Sequence, residues 1–419
     1  MSDKIYIGVD IGTGGVRGCA IDSREQVRAT AERPINSELR RDPSAVLSAA
    51  RTVLSQLSDF TEGHCRALSI AGTSGSLLGL DRFGVPVGGI SLYSDRPQEA
   101  ERQIVMAAQL PPVSRGASGD VIARMMRIAN EPNVSRVTFE ATFVASALAG
   151  QCLPADLNNA LKAGCDPISA KWPSLPADLK IVRDCLPSLV EPGSRQGTMA
   201  ATVANAVGFS KPPEIIAGTT DGCASALAAG LEKIGDAVTS LGTTLTLKVL
   251  SDQPVYSAPH GIYSHRILGH WLAGGASNAG GAILNYLFSA SEIEQYSHLE
   301  IAAAPSAVRY VPLTSYGERF PVVDPYLVPN LLPRPDDDEN YYLAILDSLV
   351  RWERRGYVAL RASGAPQVRR LTAIGGGSEN TAWMATRARD MHRDFFKPLS
   401  NLPAFGAARL ARIGSENRT

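Results

Sequence analysis

The chain has 419 residues, of which 44% are hydrophobic and 20% charged. That length and balance allow two domains with buried cores and exclude a disordered chain. Lys plus Arg number 41 and Asp plus Glu 41, so no global field draws the protein to nucleic acid or an anionic membrane, and a nucleotide or sugar site must be built from local groups.

Ile5 to Val9 reads as a buried strand, Val16 to Ile21 as a second and Gln26 to Arg33 as a third. The turns between them, 12–15 and 22–24, are too short for a crossover helix, which predicts antiparallel neighbours. Pro43 to Leu57 follows as a helix, with Asp42 as N-cap before a first-turn proline. Leu68 to Ala71 is a short core strand. Between there and about residue 210 the pattern is mixed, with helical periodicity near 120–129 and 139–149.

A second cycle starts near 215. Ile215–Ala217 is a strand, Gly222–Gly230 a helix, and Ala237–Leu241 and Thr244–Leu250 are strands joined by a Gly-Thr turn. Residues 5–21 and 237–250 thus repeat one hairpin design at low identity, a structural echo. Asn278–Phe288 reads as helical. Tyr342, Ile345, Leu346, Leu349 and Trp352 follow 3.6-residue spacing and predict an amphipathic helix over 339–361. Leu371–Ile374 is a strand, Ser378–Met391 a helix, and Ala404–Ile413 a last Ala/Arg-rich helix whose Arg409 and Arg412 are expected to face solvent.

Three Gly-rich stretches carry the chemistry. In IYIGVDIGTGGVRG (5–18) a strand delivers Asp10 to its end, and Gly12, Gly14 and Gly15 bare the backbone N–H groups of a turn to which Thr13 adds a hydroxyl. Such a turn holds phosphate oxygens, and Asp10 suits a water-shelled Mg²⁺; the plain alternative is an ordinary hairpin turn. Arg17 occupies the third-glycine position, so this is not a dinucleotide fingerprint, and no P-loop motif occurs. In AGTTDGCASALAAG (217–230) Asp221 closes a strand and opens a helix. It reads either as an N-cap or as the general base for a substrate hydroxyl, weakly basic at a helix N-terminus. That suffices for phosphoryl transfer, where the proton leaves late. In SLGTT (240–244) Gly242 and Thr243 form a second phosphate-facing turn. In AIGGGSENTAW (373–383) the glycines let backbone approach a flat ring and Asn380 suits adenine or ribose, although a triple glycine also serves as a simple strand-to-helix link.

These segments, in this order, resemble the FGGY carbohydrate kinases, within the broad class that includes actin, hexokinase and the heat-shock ATPases. GTSGSLLGLDRFGVPV (72–87) is similar to the family's sugar-side strand and YSDRPQEAE (93–101) to its aromatic-x-Asp-Arg loop. NNALKAGCDPISAKWP (158–173) and YSHRILGHWLAGGASNAGG (263–281) are similar to stretches of the xylulokinase-like and ribulokinase-like members. The resemblance implies a two-domain α/β protein with an actin-like, ribonuclease H-like duplicated fold and an inter-domain cleft. Residues 1–228 would form a sugar-binding domain, 229–401 a nucleotide-binding domain, and the last helix (402–419) would pack on the first. It implies that Asp10 positions Mg²⁺ and substrate, that Thr13 and Gly14 hold the γ-phosphate, and that Ser74 and Asp95 contact the sugar. Asp221 would be the base, Gly242 and Thr243 would hold phosphates, and Gly376, Gly377 and Asn380 would take the nucleoside. Trp383 would pack near adenine or sit in the core.

Two departures stand out. The chain is shorter than typical members, and Thr73-Ser74-Gly75 replaces the larger polar set that relatives carry on the sugar side. The expected activity is ATP-dependent phosphorylation of a ketopentose, D-ribulose or D-xylulose. The alternatives are another polyol such as glycerol or a hexulose, or a low-turnover nucleotide and sugar sensor.

The six cysteines form no CxxC pair and suggest neither zinc nor a disulfide scaffold, and the six histidines lack metalloprotease spacing. The N-terminus lacks an apolar signal core and no run reaches a membrane span, so a cytoplasmic protein without membrane or nucleic-acid partner is expected, its oligomeric state left open. The acidic run 336–339 precedes a helix and is expected to cap it.

Overall fold

The computed structural model describes residues 4–108, 117–391 and 395–416. The chain divides into two compact units: Met1–Ala228 with His265–Gly269 and Leu402–Thr419, and Ala229–Ser264 with His270–Asn401. No helix among the described residues is long and apolar enough to cross a membrane.

In the first unit, β1 (Tyr6–Gly12), β2 (Gly15–Ile21) and β3 (Val27–Pro34) form an antiparallel meander. Helix α1 (Pro43–Phe60) follows, its N-terminus capped by Asp42, which accepts from the Ser44 amide at 2.8 Å. β4 (Ala67–Gly72) then pairs parallel to β1. A separate three-stranded sheet of β5 (Leu77–Leu80), β6 (Pro86–Ser91) and β7 (Arg136–Phe139) occupies the region of mixed pattern and leads directly into α2 (Glu140–Ala149). β8 (Arg195–Thr198) and β9 (Glu214–Thr220) complete the main sheet in the order β8-β9-β4-β1-β2-β3, and α3 (Asp221–Ala228) leaves the end of β9. β1 and β4 are buried almost throughout, as strands covered on both faces require.

The second unit repeats the plan. β10 (Asp236–Leu241), β11 (Leu245–Ser251) and β12 (His270–Ala276) are antiparallel neighbours. A short helix α4 (Ala282–Leu287) and the long α5 (Asp338–Ala362) precede β13 (Arg370–Ile374). β13 is parallel to β10, and beyond α6 (Thr381–Met391) the two-residue β14 (Phe395–Phe396) pairs parallel to β13. The order β12-β11-β10-β13-β14 reproduces β3-β2-β1-β4-β9. This is the duplicated, actin-like arrangement, and the 5–21 and 237–250 hairpins are its equivalent first turns.

The stretch 278–281 is not helical; α4 starts at Ala282. Gly281 donates to the Gly242 carbonyl at 2.8 Å, and a Cβ on Gly280 would meet the Thr243 carbonyl oxygen at 2.5 Å. The two glycines let this loop lie flat on the 242–244 turn. The acidic run behaves as a cap: Asp337 accepts from the Glu339 amide at 3.0 Å at the start of α5. Within the second core Glu353 and Arg387, both fully buried, pair at 2.7 Å, and Glu353 also accepts from the Thr239 hydroxyl.

Helix α7 (Pro403–Glu416) corrects one expectation. Arg409 and Arg412 do not simply face solvent. Arg409 is buried, donating to the Leu227 carbonyl at 2.6 Å and to Glu25 at 2.9 Å, and Arg412 reaches the other oxygen of Glu25 at 2.8 Å. The cause is the small-residue face of α7. A Cβ on Gly8 of β1 would lie 2.0 Å from the Ala404 carbonyl oxygen, and one on Gly406 would lie 1.8 Å from that of Ala224. Backbones packed this closely carry the long arginines inward with them.

Gly8→Ala should therefore cost about 3 kcal/mol or more, or prevent folding. Gly14→Ala, where a Cβ meets nothing within 4 Å, should leave the melting temperature unchanged. Thermal melts of the two variants check this contrast.

Candidate active site

The parallel strands of the first unit end side by side. Asp10 of β1 and Thr219 of β9 both pair with Ala71 of β4. Asp10, the loop after Gly72, and Asp221 thus leave one edge of one sheet, the carboxyl-terminal edge where open α/β sheets place ligands.

Asp10 is 3% exposed, and its Oδ1 has no hydrogen-bond partner among the described residues. Burial foremost, and then the nearby charge of Asp221, push the Asp10 carboxyl up to about 7, while the Arg17 guanidinium opposes them. Asp221, half-buried at the first turn of α3, accepts from the Gly222 amide at 2.7 Å. The structure brings these two acids together.

The β1–β2 hairpin loop is the pair Thr13–Gly14, both exposed. Arg40 fixes its entry: Nε donates to the Gly12 carbonyl at 3.1 Å, and the guanidinium pairs with Glu140 in a buried, two-pronged bridge. Thr73 ties the neighbouring loop on, donating from both amide and hydroxyl to the Ile11 carbonyl at 3.2 Å. Ser74 follows, 7% exposed, its hydroxyl without a partner among the described residues, as is that of Ser76. Arg124, 4% exposed, braces this loop from below, donating to the Gly75 and Leu92 carbonyls at 2.8 Å each.

Asp95 is engaged elsewhere. Its two oxygens accept from Arg41 at 2.6 and 2.7 Å and one also from the Leu92 amide at 2.9 Å; the Arg41 guanidinium holds its carboxyl below the usual range.

In the second unit β10 and β13 also end together, Ser240 pairing with Ile374. Gly242 and Thr243 follow one strand and Gly375–Gly377 the other, so both Gly-rich turns share an edge. Gly375 has φ +86°, and a Cβ there would lie 3.0 Å from the Leu241 carbonyl oxygen. Beside Gly376 the space is open, but a Cβ on Gly377 would strike the Trp383 ring at 2.7 Å. Trp383 is therefore core, 1% exposed, with the turn packed on its ring. Asn380 is buried as well. Its amide donates to the Tyr342 hydroxyl at 2.6 Å, and its Oδ1 accepts from the Trp383 backbone at 2.9 Å, so its side chain anchors the turn to α6.

Arg17, Arg40, Glu140 and Arg124 were not singled out as site residues by sequence. For Arg17 a signal existed: a two-residue loop at 13–14 makes residues 10 and 17 cross-strand partners, and they are. For the others the partner lies too far along the chain to be inferred.

Residues 237–415 match the C-terminal domain of the FGGY family of carbohydrate kinases. The xylulose kinase of Staphylococcus epidermidis is 23% identical, the match covering 99% of this chain and 88% of that protein. Among solved structures, a "xyloylose kinase" from Brucella ovis superposes with a TM-score of 0.86 at 21% identity, covering 99% of this chain and 91% of that one. The gluconate kinase of Lactobacillus acidophilus superposes at 0.81 with 18% identity, covering 99% and 89%.

The Asp10 carboxyl holds its proton from about pH 4 to about pH 7 in the folded chain and loses it in the unfolded one, so its contribution to stability falls as pH rises through that window. Asp10→Asn removes this dependence. Urea melts of the apo protein should show the variant gaining on the parent from pH 5 to pH 8, by up to on the order of 3 kcal/mol.

Residues 237–415 thus match the C-terminal domain of the FGGY family of carbohydrate kinases, and the chain as a whole shares its fold with solved xylulose and gluconate kinases.

Proposed function

We propose that this carbohydrate kinase transfers the γ-phosphoryl group of ATP to the terminal hydroxyl of an open-chain ketopentose, D-xylulose ahead of D-ribulose. The observation that carries the chemistry is the Asp10–Asp221 edge, where the buried Oδ1 of Asp10 and the Ser74 hydroxyl both lack partners among the described residues. A polyol brings the hydroxyls such atoms need. The preference for a pentulose leans on the xylulose kinase relatives, whose matches run the length of the chain.

Asp221 is assigned the base. It orients the attacking hydroxyl and takes its proton late, as the phosphorus–oxygen bond to ADP breaks and that to the sugar forms; a loose transition state asks little of its basicity. Ser74 and Asp10 position the sugar. Thr13 and Gly14 hold the γ-phosphate, Gly242 and Thr243 the other phosphates, and Gly376 and Gly377 the nucleoside. Asn380 serves this surface by anchoring the turn. Asp95 orders the sugar-side loop through Arg41 and Leu92. Asp10 is also the residue that would hold Mg²⁺ through its water shell, one carboxylate plus phosphates being usual for that ion. Bound there, the ion supplies neutralisation of phosphate charge during transfer.

Sugar-dependent ADP release, measured over D-xylulose, D-ribulose, gluconate and glycerol, tests the substrate; the highest kcat/KM on D-xylulose is expected. A clear preference for glycerol or gluconate would move the assignment, and tight ATP binding with no turnover on any sugar would favour a sensor. Asp221→Asn should lower sugar-dependent turnover by about 10²–10⁴ while ATP affinity stays near that of the parent. Unchanged turnover would refute the base.

A further inference from the structure

Charge is distributed unevenly along α5. Arg351, Arg354 and Arg355 recur one turn apart, while Glu353 among them points its charge into the core against Arg387. With Arg389 of α6 and Arg309 of the preceding loop they line a groove of about 580 Å³, whose acidic lining among the described residues is Asp390. Asp390 is already taken by the Arg389 guanidinium at 2.6 Å.

Two of the five arginines build the groove. Arg351 donates to the Val308 carbonyl at 2.7 Å and to that of Ser306, and Arg389 donates to that of Ala302 at 2.9 Å, tying the 302–308 loop down. Arg355 lies 5.4 Å over the Trp352 ring. Arg309 and Arg354 are exposed and make no ion pair among the described residues. Five guanidinium groups thus meet two acids, Asp390 and the buried Asp347, both held by Arg389, on a chain of net charge zero. A groove concentrates such a field, and guanidinium forks match phosphate oxygens in pairs. The volume suits a small molecule. Arg389 lies about 13 Å along α6 from the Asn380 anchor, so the groove is separate from the Gly-rich turns.

We propose that this groove binds a small metabolite carrying two or more phosphate groups, held by Arg309 and Arg354 from opposite walls. The test is a thermal melt of the full chain titrated with inorganic pyrophosphate, with saturating ADP present to occupy the Gly-rich turns. The parent should gain on the order of 3 °C at about ten times Kd. The Arg309→Ser/Arg354→Ser variant should lose that gain and keep the parent's response to ADP alone. The proposal is overturned if the parent shows no gain at millimolar pyrophosphate, if the double variant retains it, or if sodium sulfate at matched ionic strength produces the same rise.

Discussion

Two carboxylates brought to one desolvated sheet edge are the constraint around which the first unit is organised. Left in water, Asp10 and Asp221 would be indifferent to each other. Brought to one edge by the two parallel strands that flank β4, each raises the free energy of the other's charge, and the buried Asp10 carboxyl responds by holding its proton to about pH 7. Such a pair is unfavourable for folding taken alone. It persists because the surrounding structure holds both residues in place, which is the usual mark of a site kept for chemistry rather than stability.

What holds them is a set of contacts distant in sequence. The buried Arg40–Glu140 bridge fixes the carbonyl at the mouth of the Thr13–Gly14 turn. Thr73 stitches the Ser74 loop to β1, and Arg124 braces it from the opposite side. Helix α7 lies backbone-close on β1 and on α3, the two elements that deliver Asp10 and Asp221. Position in this site is therefore a property of the whole unit and not of the hairpin alone.

The second unit applies the same strand order to a different set of residues. Among the described residues its edge carries no acid pair; it presents glycine turns stiffened by the Trp383 ring, by the Gly280–Gly281 loop and by Asn380. One sheet plan, used twice, offers acids and hydroxyls in one copy and bare backbone in the other. That division fits a kinase, which must bind an acceptor alcohol and a phosphate chain.

Much was legible in the sequence because the determining interactions are local. Hairpins, the Asp42 and Asp337 caps and the positions of the Gly-rich turns follow from glycine placement, strand periodicity and side chains reaching their own backbone. The hairpin echo also showed the duplication, since a two-residue turn between apolar strands admits few geometries. Partner choice was not legible. Asp95 facing Arg41, Asn380 anchoring its own helix, Arg409 drawn into the interior and Arg351 of α5 tying down the 306–308 loop each depend on which distant group arrives alongside. Those matches are made only when the sheets stack and exclude water, because an ion pair or orphaned hydroxyl acquires its energy from burial, and burial is decided by tertiary packing.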